Sequence, residues 1–116
     1  MEFSHKIVIG LTEKVTVQGT NGKRRRVVAR IDTGATKSSI DQKLAEEIKA
    51  GPVIKNKMFR SAHGRKVRPI VPLKIKLAGT TIKCQFSIVD RIHMKYKLLI
   101  GQNGLKKGFL IDPSKK

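Results

Sequence analysis

Asp32 stands at the end of an apolar run, Val27-Val28-Ala29-Arg30-Ile31, and opens the tight turn Thr33-Gly34-Ala35. A carboxylate placed where a strand stops and a glycine-dependent turn begins is a candidate acid–base group. Thr33 can hydrogen-bond across such a site and hold its loop. Gly34 lets the backbone approach the carboxylate and offers an N–H donor, and Ala35 stays small beside a neighbouring strand. Hydrolysing a peptide bond with carboxylates alone takes two of them sharing one proton, one acting as base toward water and the other as acid. The chain carries one Asp-Thr-Gly, so this chemistry needs two copies of the chain. Taken alone, Asp-Thr-Gly is a common turn tripeptide. Its weight comes from the apolar strand before it, from Ser39-Ile40 after it, and from a second apolar strand ending in glycine, Leu98-Leu99-Ile100-Gly101.

Other reactive side chains form no such pattern. His5, His63, His93 and Cys84 are scattered without metal-ligand spacing, and there is neither a His-Glu-x-x-His nor a phosphate-binding glycine loop. The expectation is no metal and no cofactor. Cys84 alternates with apolar neighbours and reads as a core side chain. Arg91 has two readings: a cation for substrate carboxylates, or half of a loop ion pair with Asp90. Asp112, before Pro113, reads as a turn former.

The elements that must hold Asp32 are mostly strands. Residues 6–18 read as one strand, and Asn21-Gly22 is a hairpin turn signal leading to the strand 27–31. Leu44, Ala45 and Ile48 share a helical face, with Asp41 as N-cap and Gly51-Pro52 as terminator. Residues 53–60 are extended, and Ser61 to Arg68 forms a polar hairpin tip centred on His63-Gly64. Val71, Leu73, Ile75 and Leu77 alternate with polar residues and proline. After the turn Ala78-Gly79-Thr80, Ile82, Cys84, Phe86 and Ile88 alternate again, so the pair is a meander with one buried face. Residues 97–100 and 109–111 complete the strands.

With 116 residues the chain makes one domain, 1–116. It has no Trp, one Tyr and four Phe, which leaves the core to Val, Ile and Leu and favours strands. A single cysteine excludes an internal disulfide and suits a reducing compartment. No apolar stretch reaches signal-peptide or membrane-spanning character, so the expected location is the cytoplasm, with no membrane contact. The formal net charge of +18 attracts polyanions: nucleic acid, the ribosome or an acidic peptide. Residues 23–26, Lys-Arg-Arg-Arg, are either a nucleic-acid patch or a solvated run beside the hairpin turn.

Ile31-Asp32-Thr33-Gly34-Ala35, the hairpin from Lys57-Met58 to Val67-Arg68 with Gly64 near its tip, the meander 71–88 and Leu99-Ile100-Gly101-Gln102-Asn103-Gly104-Leu105 together resemble one subunit of a retropepsin-type aspartic protease. The resemblance implies that the hairpin is a flap and that residues 99–105 are a late strand with a short helical turn. Asp32-Thr33-Gly34-Ala35-Thr36, Asp90-Arg91 with Met94, Leu98 to Gly101 and Phe109-Leu110-Ile111-Asp112-Pro113 resemble more closely a prokaryotic family labelled ATP-dependent zinc protease. Some of its members are linked to ligases that add Glu to ribosomal proteins, which implies acidic tails as substrates. Two positions depart from the retroviral pattern. An acidic residue and an Arg that form an ion pair there are Thr36 and Gln102 here.

The resulting expectation is an all-β, small closed retropepsin-like (acid protease) barrel with one short helix, acting as a homodimeric aspartic endopeptidase. Asp32, Thr33 and Gly34 form the catalytic set; Ala35, Ser61, His63, Gly64, Arg65 and Arg91 are the candidate substrate contacts. The substrate is a peptide, Glu-rich or the tail of a ribosomal protein. The alternatives are a catalytically silent barrel using its basic surface on RNA, the ribosome or a partner enzyme, and a subunit that dimerises only on a partner or substrate.

Overall fold

The computed structural model describes residues 5–62 and 64–115, with the side chain of Ser61 outside the description. In chain order it contains strands β1 (Ile7–Ile9), β2 (Thr12–Gln18), β3 (Arg24–Ile31) and β4 (Ser38–Asp41), then helix α1 (Gln42–Glu47). Strands β5 (Lys55–Ser61), β6 (Gly64–Leu77), β7 (Thr80–Val89) and β8 (Leu98–Ile100) follow, then helix α2 (Gln102–Leu105) and strand β9 (Phe109–Ile111).

The larger sheet runs in the order β2-β3-β8-β4-β7-β6-β5, and an additional β2–β6 pairing closes its first six strands into a barrel. That closure joins Val15 to Leu77 and Gln18 to Lys74 in antiparallel register. It removes the open edges of the six strands, a standing liability of β structure. Strand β5 hangs outside, paired to the first half of β6, and forms the expected flap hairpin. Alternation fills the barrel: Val15, Val17, Ala29, Ile31, Val71, Leu73, Ile75, Leu77, Ile82, Phe86, Leu98 and Ile100 all point inward and are buried.

Several expectations change in detail. The strand foreseen over 6–18 is two strands, broken at Gly10-Leu11. There Glu13 Oε2 accepts from the Gly10 N–H at 2.7 Å. The break lets β1 leave the barrel and pair in parallel with β9, Ile7 opposite Phe109, while β2 stays with β3. Strand β3 starts at Arg24 rather than Val27, because the hairpin register sets Arg24 against Gln18. Residues 38–41, foreseen only as the approach to the helix, are the central strand β4. It is parallel to β7 and antiparallel to β8, a pairing made by tertiary contacts rather than by local pattern. Helix α1 is capped as foreseen, Asp41 Oδ2 accepting from the Lys43 N–H at 3.1 Å. A second helix, α2, adds to the single helix of the periodicity reading; at four residues it is too short to show a helical period, although the family resemblance implied a turn there. Among the described residues no helix is long and apolar enough to cross a membrane.

Candidate active site

The Asp32 loop is built from three strands. Strand β8 lies between β3, which it pairs in parallel (Ile31 opposite Ile100), and β4, which it pairs antiparallel (Ser39 opposite Leu99). It thus passes behind the loop that connects β3 to β4. The Asp32 N–H donates to the Ile100 carbonyl at 2.9 Å, which extends the β3–β8 ladder into the turn. The Ala35 N–H donates back to the Asp32 carbonyl at 3.3 Å. Asp32 Oδ1 accepts from the Gly34 N–H at 3.0 Å, so the carboxylate is fixed by the backbone of its own turn. Its side chain remains 29% exposed, fixed yet reachable.

Gly101 is the seat of this loop. A Cβ at Gly101 would sit 2.3 Å from the Lys37 carbonyl oxygen and 2.7 Å from that of Ala35, closer than any side chain tolerates. Past it, the Gln102 N–H donates to the Ala35 carbonyl at 2.7 Å and the Asn103 N–H to the Thr36 carbonyl at 3.2 Å. Gln102 Nε2 donates to the Thr33 carbonyl at 2.7 Å. Below, Ser38 Oγ accepts from the Gly101 N–H at 3.0 Å and donates to Asn103 Oδ1 at 2.6 Å. The start of α2 therefore binds the loop through backbone and side chains alike.

The structure brings Asp32, Thr33, Gly34 and Ala35 together with Gly101, Gln102 and Asn103. Gly64 and Arg65 open β6 on the flap hairpin, a separate element, where Arg65 is exposed opposite Arg60. Ser61 contributes its backbone to the last β5 pair, and His63 lies outside the described residues. Arg91 turns inward and is only 8% exposed. Its Nε donates to the Tyr96 carbonyl at 2.8 Å, its Nη1 to Ser39 Oγ at 3.2 Å, and its backbone N–H to Asp41 Oδ1 at 2.7 Å. Burial lowers its pKa, and the nearby Arg30 charge lowers it further, while Asp41 and Asp32 oppose the change. Neither sequence reading of Arg91 describes this arrangement: its Nε and Nη1 donate to the chain's own carbonyl and hydroxyl groups, and Asp90 instead accepts from the Ile92 N–H at 3.0 Å.

Sequence reasoning passed over Arg30, Ser38 and Asn103. Arg30 lies two residues before Asp32, hence on the same strand face, and its Nε is 3.9 Å from Asp32 Oδ2. Strand periodicity alone could have found it. Ser38 and Asn103 meet across 65 residues of chain, and no local pattern signals them.

The zinc in the family label noted above does not fit these side chains. Among the described residues no three His, Cys, Asp or Glu groups gather at one place.

A closed barrel whose glycine-ended strand passes behind an Asp-Thr-Gly turn, with an outlying hairpin as flap, defines the retropepsin-like class. The model of the RimB-like family, described as retropepsin-like aspartic endopeptidase RimB, matches residues 41–116. The chain belongs to the RimB-like family. The match begins at Asp41, the last residue of β4, so it leaves out the Asp32 loop and runs from α1 through the flap hairpin, the meander, β8 and α2 to β9. None of the curated proteins matches the sequence. Among solved structures, a Legionella pneumophila protein of unknown function is 19% identical with a TM-score of 0.62, over 92% of this chain and 93% of that one. The simian foamy virus protease is 18% identical with a TM-score of 0.62, over 82% and 91%. The EIAV protease, in complex with an inhibitor, is 19% identical with a TM-score of 0.62, over 91% and 90%. These likenesses are of fold, and together with the family they support a protease-type function.

Proposed function

We propose that the chain is an aspartic endopeptidase that works as a homodimer, each copy contributing Asp32. The observation that carries this reading is the Asp32 carboxylate itself: one per chain, fixed by the Gly34 N–H, and still open to solvent. Two such carboxylates facing each other share one proton. The ionised one takes a proton from water as the water oxygen attacks the scissile carbonyl carbon. The protonated one gives its proton to that carbonyl oxygen. Collapse of the tetrahedral diol then breaks the C–N bond: the dyad gives the leaving amine a proton and takes one back from a diol hydroxyl, which restores its single shared proton. Thr33 and Gly34 hold the geometry, and Ala35 leaves room for the substrate backbone. The flap residues Ser61, His63, Gly64 and Arg65 are the proposed contacts on the other side. Arg91 is assigned a positioning role, bracing β4 and the 91–97 loop.

The charge of +18 supports an acidic peptide as substrate, including Glu-rich tails such as those of ribosomal proteins. The single cysteine supports a reducing, cytoplasmic setting. The test pairs sedimentation over a concentration series with hydrolysis of a Glu-rich peptide. A dimer, with hydrolysis abolished in a folded Asp32→Asn variant, is the expected result. Equal hydrolysis by that variant overturns the mechanism. A strict monomer without hydrolysis favours the binding-module alternative.

A further inference from the structure

A cavity of about 330 Å³ opens between the end of the Asp32 loop, the base of the flap hairpin and the residues following α2. Six lysines line it: Lys37 from the loop, Lys55 and Lys57 from β5, Lys83 from β7, and Lys106 and Lys107 after α2. Among the described residues no carboxylate lines it. The Cys84 thiol in its wall adds no negative charge, because burial keeps it protonated at neutral pH. Solvated lysines on a convex surface diverge. Here they come from four separate parts of the chain and surround one space, which concentrates positive potential.

We propose that this cavity is an anion subsite that takes the side-chain carboxylates of an extended acidic peptide, at a distance from the bond to be cut. The proposal deepens the endopeptidase reading above and rests on it for the identity of the peptide as substrate. Two observations favour a peptide over nucleic acid. The face of Phe59, the one aromatic ring in the lining, already carries Arg68 at 4.8 Å and Lys57 at 5.8 Å, so a base has no ring on which to stack. Strand β5 is the last strand of its sheet, and Lys55, Lys57 and Phe59 alternate along it on the cavity side. A peptide added along that edge in extended form presents every second side chain to the same side, in step with these lysines. Lys37 lies five positions beyond Asp32, on the loop that carries it, so the cavity borders the segment that presents the carboxylate.

The experiment measures binding of a fluorescent Glu-rich peptide, its Gln counterpart and a single-stranded RNA oligomer. The protein is the Asp32→Asn chain, which leaves the peptide uncut. A triple variant in the cavity, Lys57→Gln, Lys106→Gln and Lys107→Gln, is compared with Lys14→Gln, Lys43→Gln and Lys76→Gln elsewhere. All six positions are exposed, so both triples keep the fold, and both remove the same charge. The expected result is tighter binding of the Glu than of the Gln peptide, with a loss at least about tenfold greater in the cavity triple than in the control. Equal losses in the two triples overturn the proposal, since a diffuse field then accounts for the binding. RNA binding lost in the cavity triple, with the Glu peptide indifferent, assigns the cavity to nucleic acid and also overturns it. The two readings separate in the wild-type background. Selective peptide binding without hydrolysis leaves the subsite and removes the endopeptidase. Hydrolysis with the same KM in both triples removes the subsite and leaves the endopeptidase.

Discussion

The side chain of Gln102 donates to the backbone carbonyl of Thr33 at 2.7 Å, linking the first residue of α2 to the turn that presents Asp32. In the retroviral pattern this position carries an Arg whose acidic partner follows the Asp-Thr-Gly-Ala; here Thr36 stands in the acidic place and Gln102 turns to the loop itself. At this position a neutral amide on a carbonyl, rather than an ion pair, ties α2 to the loop.

Removing that amide frees the loop without emptying the core. For Gln102→Ala we expect a loss of stability of about 1 kcal/mol or less, as the bond is solvent-exposed, but a clear fall in kcat with KM little changed. Thermal unfolding and steady-state kinetics read the two separately. A large fall in unfolding temperature would show that Gln102 holds the barrel rather than the loop.

Arg91 braces the site from behind, with donors to the Tyr96 carbonyl and Ser39 Oγ. Arg91→Met keeps most of the volume and abandons both acceptors. The expected destabilisation is about 2 kcal/mol, the range for hydrogen bonds to a charged group, read as a shift in the urea midpoint. If Arg91 instead contacted substrate carboxylates, the same variant would raise KM and leave the midpoint unchanged.

Burial pushes the Cys84 thiol from 9.0 to about 11, with the Ser38 hydrogen bond and the Lys107 charge pulling it partly back. The unfolded chain therefore loses its thiol proton near 9.0 and the folded chain only near 11. Between those values the folded state binds more protons, so the stability from this group is complete below 9.0 and is lost as pH rises toward 11. The total is about 2–3 kcal/mol. Comparing the wild type with Cys84→Ala across that range isolates the effect, because lysine titration is common to both. Parallel stability curves would refute it. In the folded protein at neutral pH the thiol should also react slowly with alkylating reagents.

How much of this was legible in the sequence depended on the range of the forces involved. The meander was plain, because Val71, Leu73, Ile75 and Leu77 bury alternate positions on a single face. The Asp41 cap was plain because its bond to Lys43 spans only two residues. The Asp32 turn was visible from its own residues and from the glycine-ended strand that backs it. Strand β4 was not, since Ser38 to Asp41 has no alternation and gains its partners from β7 and β8. The inward turn of Arg91 was equally hidden: burial of a guanidinium depends on carbonyls and hydroxyls that only the fold collects. The lysine-lined cavity is the extreme case, its side chains drawn from positions 37 to 107.

The seat at Gly101 also orders events in time. The turn at residues 32–36 takes its fixed shape from residues 100–103, and the bond from Gln102 to Thr33 spans 69 residues of chain. During synthesis the Asp32 segment therefore leaves the ribosome long before the strand that shapes it exists. Contacts so far apart in sequence are also slow to form, since the intervening loop must close first. The carboxylate reaches working geometry only in a nearly finished barrel. A basic nascent chain thus passes its polyanionic birthplace with the Asp32 carboxylate not yet held in place.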